Sequence, residues 1–251
     1  MDKINLQLFA EAGEGLRFAV YSTYAAVTGV EDPDISEAII PETYEGLPVT
    51  HIGEEAFAWC YNLASVTIPN SVTSIDAGAF RCCESLMSIN IPDGVTEIRY
   101  GMFYECYNLT SVTIPESVTS IEHEAFNSCC SLTSVTIPGS VTYIGNYAFF
   151  DCGCVSVYDF SRCLSVPCSA SISAFEGISD DCLIVVPPSL CEEWKSATNW
   201  SEYASHITSN VKKVDLTMLG LEPGTYTIRA VSKAEGYTKS AKSNAVTYVA
   251  K

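Results

Sequence analysis

The chain has 251 residues, 47% of them hydrophobic, and a net charge of −17 at neutral pH. That apolar fraction suffices for a large core in one or two domains, and no run approaches the roughly 18 apolar residues that a bilayer crossing needs. Residues 212–251 carry seven basic and three acidic side chains, a net +4, whereas the preceding 211 carry six and 27, a net −21; a body this acidic repels nucleic acid and anionic membranes, which excludes both as expected partners.

The N-terminus begins Met1-Asp2-Lys3-Ile4 and has a single lysine, an early aspartate, and an apolar stretch interrupted by Asn5 and Gln7. These features make a poor signal peptide, so folding in a cytosol is expected. The run Asn5-Leu6-Gln7-Leu8-Phe9-Ala10-Glu11 resembles an N-terminal peptide of head and other structural proteins of tailed phages of Gram-positive bacteria. The resemblance implies a virion location and capsid or tail proteins as partners. The plainer reading is an amphipathic segment that packs on the first coil. Residues 1–15 are assigned to this N-terminal peptide.

From residue 52 onward a period of 23 governs the chain. Phe57, Phe80, Phe103, Phe126 and Phe149 keep it, as do Cys60, Cys83, Cys106, Cys129 and Cys152 and Ile52, Ile75, Ile98, Ile121 and Ile144. Ile-Pro pairs fall in step at 68–69, 91–92, 114–115 and 137–138. One unit is thus copied about five times, and because no copy can bury its apolar face alone, the copies must stack. In Ser111-Val112-Thr113-Ile114-Pro115 the apolar residues alternate, which predicts a half-buried strand; Pro115 lacks the N–H a ladder needs and ends it. Val118-Thr119-Ser120-Ile121 predicts a second short extended piece. Ala125, Phe126 and Cys129 then cluster at the spacing of one turn, which predicts a short helical turn whose Phe plugs the core. The expected fold is therefore a repeat solenoid of 23-residue coils, each a β-strand plus a short helical turn.

The string Ala-Phe-x-x-Cys-x-x-Leu-x-x-Val-x-Ile-Pro-x-x-Val-x-x-Ile resembles the BspA-like leucine-rich repeats. Residues 56–75 and 125–144 match it almost fully, while Ile89-Asn90 in the second copy and Met102 in the third are mild departures. Ile40-Pro41-Glu42-Thr43-Tyr44-Glu45-Gly46-Leu47-Pro48-Val49 resembles that family's entry segment. Val185-Val186-Pro187, Trp194-Lys195 and Asn199-Trp200-Ser201-Glu202-Tyr203-Ala204 resemble its closing cap. The resemblance spans roughly residues 16–207 and implies a surface adhesion or interaction module of bacteria and some parasites, with no catalysis. Residues 155–184 break the beat, since Phe175 comes 26 residues after Phe149; one irregular coil leading into the cap is expected there. The solenoid with its caps is assigned to 16–210.

Beyond it, Leu221-Glu222-Pro223-Gly224-Thr225-Tyr226-Thr227-Ile228-Arg229-Ala230-Val231 and Ser243-Asn244-Ala245-Val246-Thr247-Tyr248-Val249 alternate like strands. The pair resembles the last three strands of a fibronectin type III or bacterial immunoglobulin-like sandwich, so 211–251 is assigned as a partial immunoglobulin-like β segment forming a small antiparallel sheet. Three strands are marginal alone. The solenoid end, another subunit in a homo-oligomer or a partner is expected to cover their apolar face.

Of the 12 cysteines, the five on the beat read as small buried hydrophobes, expected to stay reduced. There is no Cys-x-x-Cys and there are three histidines, His51, His123 and His206, so no metal site or cofactor is expected. No phosphate loop, nucleophile elbow or His-Glu-x-x-His run occurs, and no enzyme is expected. His123, between Glu122 and Glu124, reads as a salt-bridged surface histidine. The pairs Glu54-Glu55 and Asp180-Asp181 read as solvated turns. Ser65, Thr67, Ser88, Asn90, Ser111, Thr113, Ser134 and Thr136 form the outward strand face, expected to be solvated. A better contact surface lies at the turns, where Trp59, Tyr61, Tyr104 and Tyr107 flank the cysteine beat, with Tyr100, Tyr143 and Tyr147 nearby. Exposed aromatics of this kind serve as hot spots for a protein or glycan ligand. The function expected is a virion accessory protein displaying a repeat module; the alternative is a bacterial cell-surface adhesin with no virion role.

Overall fold

The computed structural model describes residues 13–166, 168–169 and 172–209, together with the strand backbones Gly224–Ile228 and Val246–Ala250. The chain divides into two units, Met1–Ser209 and Asn210–Lys251. The N-terminal run 5–11 lies outside the described residues.

In the first unit the 23-residue period becomes about eight stacked coils. One side is a series of parallel three-residue strands. Glu37–Ile39 pairs with Ser65–Thr67, Ser88–Asn90 with Ser111–Thr113, and Ser134–Thr136 with Val157–Asp159, which continues through Leu183–Val185 to Ile207–Thr208. Longer bonds, Met87 N to Ala64 O at 3.5 Å and Thr133 N to Thr110 O at 3.4 Å, link these groups. A second side carries the short strands Ser74–Ile75, Glu97–Ile98, Ser120–Ile121, Tyr143–Ile144 and Cys168–Ser169. Between the two sides the proline carbonyl closes a turn: Val72, Val95, Val118 and Val141 donate to Pro69, Pro92, Pro115 and Pro138 at 3.0–3.1 Å. Proline therefore ends the strand and also accepts the bond that starts the corner.

The third side was expected to be a helical turn; it is a chain of tight turns instead. Ala56, Ala58 and Cys60 donate three residues back, to Gly53, Glu55 and Phe57, while the intervening Glu55, Phe57 and Trp59 donate to Ala77, Ala79 and Arg81 of the next coil. The pattern repeats at 78–83, 101–106 and 124–129. A helix would direct every amide along its own axis and leave none for the neighbouring coil. Alternation instead needs reversed backbone, and two residues per turn supply it: Glu55 and Trp59 (φ 53° and 62°), Gly78 and Cys82 (62° and 57°), Gly101 and Glu105 (55° and 57°), Glu124 and Ser128 (57° and 61°).

The core is a column of rings. Phe57, Phe80, Phe103, Phe126 and Phe149 stack at centroid distances of 5.2–5.7 Å and within 16° of parallel. Phe175 adds a sixth ring, 5.3 Å from Phe149. The three extra residues of this coil are thus taken up before Phe175, and its ring and strand rejoin the stack. The beat cysteines are fully buried, and their role exceeds that of small hydrophobes. Cys83, Cys106, Cys129 and Cys152 each place Sγ 3.1–3.2 Å from the carbonyl of Phe57, Phe80, Phe103 and Phe126. The thiol therefore fills the space of a methyl group and also satisfies a buried carbonyl of the preceding coil.

Both ends of the stack are closed. At the start, Leu16–Val20 pairs antiparallel with Ala25–Val30, which lies parallel to Leu47–Ile52. Thr43–Tyr44 folds back on Leu47 and Pro48 through Glu45-Gly46, both at positive φ, the geometry of a two-residue hairpin turn. At the other end Cys191–Ser196 forms a short helix, and Trp194 and Trp200 lie buried against Phe160 and Phe175 at 4.9 and 5.4 Å. Phe175 has no further coil to receive its amide, and the Tyr203 hydroxyl accepts it at 3.3 Å.

In the second unit Gly224–Ile228 pairs antiparallel with Val246–Ala250, with Tyr226 opposite Tyr248 and Ile228 opposite Val246.

Candidate functional site

Two faces of the coils are exposed, and they differ in chemistry. On the strand side Ser65, Thr67, Ser88, Asn90, Ser111, Thr113, Ser134 and Thr136 all face solvent, a surface of small polar groups. On the turn side stand Trp59, Tyr61, Tyr100, Tyr107 and Tyr147, all exposed, with Tyr61 half accessible at 50%. Tyr104 and Tyr143 are half-buried.

The coil register decides which of these residues meet. Equivalent positions in successive coils form columns, so Tyr61, Glu84 and Tyr107 stand in one, and Trp59, Cys82 and Glu105 in the next. Backbone bonds fix that register, from Ser85 N to Tyr61 O at 3.1 Å and from Cys82 N to Tyr104 O at 2.7 Å. Ala58, Arg81 and Tyr104 occupy a third column, and the Arg81 guanidinium carbon sits 4.5 Å above the Tyr104 ring, a cation–π contact. Glu105 accepts from the Cys82 thiol at 3.5 Å. Tyr100 donates its hydroxyl to Glu124 at 3.1 Å, and its pKa is raised by that bond first and by burial second. The Tyr107 hydroxyl is pushed up to about 12 by desolvation, then by Glu105 and Glu84. The edge is thus aromatic and electronegative at once.

Two of the seven expected residues sit apart from this group. Tyr143 belongs to a short strand and meets His123 edge-on at 6.2 Å. Tyr147 packs edge-on against Phe150 at 5.5 Å. His123 corrects the expectation of a salt-bridged surface histidine. Its Nδ1 accepts the Asn146 amide at 2.8 Å, which makes the ring an acceptor for the next coil's backbone. Residue-type reasoning missed Arg81, Glu84 and Glu105. Aligning the 23-residue copies column by column would have found them, since each shares a column with one of the aromatics.

Among the described residues no three His, Cys, Asp or Glu side chains come together as a metal site would require. The buried thiols are poor nucleophiles at neutral pH. Burial and the nearby Asp32 push Cys60 to about 11, burial pushes Cys152 to about 12, and Cys83, Cys106 and Cys129 are raised further. No helix among the described residues is long and apolar enough to cross a membrane.

Parallel strand stacking, the ring column and the turn ladder together define a leucine-rich repeat solenoid. Residues 35–169 match the BspA type leucine rich repeat region in six copies, and the chain belongs to that family. Among solved structures, a leucine-rich repeat protein of T. pallidum is similar at 27% identity, with a TM-score of 0.60 over 70% of this chain and 81% of that one. A leucine-rich repeat protein from Bacteroides ovatus is 31% identical, with a TM-score of 0.55 over 61% of this chain and 41% of that one. No curated protein sequence matches the chain.

Proposed function

We propose that the chain is a non-enzymatic adhesion and interaction protein whose turn edge contacts a ligand, protein or glycan, on another surface. One observation carries this reading. Within the repeats the exposed aromatic residues, Trp59, Tyr61, Tyr100, Tyr107 and Tyr147, all lie on the turn edge, and aromatics gathered on one exposed edge mark a contact surface. Two of them, Trp59 and Tyr147, occupy left-handed backbone (φ 62° and 57°). Bulky side chains avoid that region, and other coils place Glu, Gly, Cys, Ser or Asp there. Strain at a surface position is a mark of function when a smaller residue would serve. The test is a binding screen of the folded protein against a glycan array and against surface proteins of host cells, repeated with Tyr61→Ala and Tyr107→Ala. Hits that both substitutions remove support the reading; hits that neither changes place the contact elsewhere.

For the location, the resemblance of residues 5–11 to phage structural proteins favours an accessory head or tail component that displays the repeats from a virion. Family membership favours the second reading, a bacterial cell-surface adhesin. Peptide mass spectrometry of purified phage particles and of washed cells separates them, since the protein should be found in one and not the other.

A further inference from the structure

The partner's chemistry can be narrowed, given the turn-edge reading above. The relevant columns run along the solenoid axis. Tyr61, Glu84 and Tyr107 follow one another coil by coil, and Trp59 and Glu105 flank them. Taking the ring spacings of 5.2 and 5.7 Å as the coil spacing, Tyr61 and Tyr107 stand about 11 Å apart with a carboxylate between them. The edge already holds one cation: the Arg81 guanidinium rests on Tyr104 at 4.5 Å. That contact shows in miniature how a ring of this edge receives positive charge. Tyr107 reports the same field, its hydroxyl feeling Glu105 and Glu84. The first 211 residues carry a net −21, so an approaching cationic segment is attracted at long range as well. A neutral sugar would gain from the rings but nothing from the carboxylates.

We propose that the edge formed by Trp59, Tyr61, Glu84, Glu105 and Tyr107 docks an extended, Lys/Arg-rich segment of a partner protein running along the solenoid axis. Three residues of polyproline-II chain advance about 9 Å and return a side chain to the same face. Basic residues at every third position therefore stand about 2 Å closer than the two rings, a difference that their long, flexible side chains can span to set each cation over a ring and near Glu84 or Glu105. A loss of aromatic area and a loss of charge should both weaken binding.

The test measures fluorescence anisotropy of a labelled (Arg-Pro-Pro)5 peptide with the full chain, using (Glu-Pro-Pro)5 as the matched control. Trp59→Ala and Tyr107→Ala should each weaken the basic peptide roughly tenfold, Glu84→Gln a few-fold, and the acidic peptide should not bind. The substitution pair Asp180→Asn with Asp181→Asn, on an exposed turn elsewhere, should leave binding unchanged. If it weakens binding as much as Glu84→Gln does, attraction to the acidic body as a whole is the cause and the docking proposal fails. If the aromatic variants lose a neutral oligosaccharide hit but keep the peptide, the ligand is a glycan: the cationic partner is wrong and the turn-edge reading stands. If no aromatic variant changes any ligand, both readings fall. Thermal melts of each variant, expected within a few degrees of the parent, keep loss of fold from passing as loss of binding.

Discussion

The strand side and the turn side of each coil are made from the same 23 residues, yet they tolerate different side chains. On the strand side neighbouring residues sit one above another at sheet spacing, about 4.8 Å, and the exposed positions are Ser, Thr or Asn in every repeat from 65 to 136. On the turn side the backbone spends alternate amides on the next coil and alternate amides on itself. That leaves the intervening side chains pointing away from the ladder, free to vary: the column of Ala58, Arg81, Tyr104, Asn127 and Phe150 contains five residue types. The lesson is that a solenoid's regular sheet supplies stability and its turns supply identity. The proposed contact surface lies where the repeat is least repetitive.

The ring column joins the two sides, and breaking it should have the largest effect. Phe103→Ala opens a cavity between two stacked rings and should cost about 3–5 kcal/mol, read as a shift in the urea midpoint. A cost below 1 kcal/mol would mean that the column is not what holds the coils together. Next in size is Gly145, which packs directly against the backbone of the preceding coil. A Cβ built there would lie 2.7 Å from the Glu122 carbonyl carbon and press on the His123 amide. Gly145→Ala should therefore cost about 1–3 kcal/mol and loosen amide exchange at Glu122 and His123.

The thiols give the interior a pH signature. In an unfolded chain they ionise near 9.0, while in the fold Cys60 and Cys152 hold their protons to about 11 and 12. Raised folded pKa values mean that the stabilisation is complete below pH 9 and lost as pH climbs through 9 to 12. Each such thiol contributes a slope of about 1.4 kcal/mol per pH unit in that window. Melting temperature should be flat from pH 7 to 8.5 and fall steeply above 9, with a shallower fall in Cys152→Ala. A melting curve equally flat to pH 11 would contradict the burial of these groups.

The smallest effects sharpen the comparison between faces. Thr113→Val on the strand side should change stability by no more than about 0.5 kcal/mol and leave ligand binding as it was. Trp59→Gly, which installs the residue that Gly177 shows at the equivalent turn position, relieves left-handed strain and should leave stability equal or up to about 1 kcal/mol higher. The same substitution should weaken ligand binding. A Trp59 variant that loses stability and binding together would make the indole a packing residue, and the contrast between the faces would lose its functional meaning.

The repeat, its period, the buried Phe, Cys and Ile columns, the proline corners and the closing cap at Trp194 and Trp200 are all legible in the residues alone. A fixed period states these directly, because whatever one coil buries its neighbour must bury too. The nature of the turns was settled by the packing of coil on coil. Ala125, Phe126 and Cys129 have the spacing of a helical turn, but stacked coils compete for the same amides, and bonding between coils prevailed over bonding along a helix. It likewise decided that the beat thiols serve the carbonyls of the preceding coil, that His123 accepts a backbone amide, and that Phe175 rejoins the column despite three extra residues. At the candidate surface the aromatic residue types were visible in the chain. Their partition was not: Tyr143 and Tyr147 stand apart, and Trp59, Tyr61 and Tyr107 join Arg81, Glu84 and Glu105. Such neighbours are 23 or 46 residues apart, and only the coil register brings them side by side.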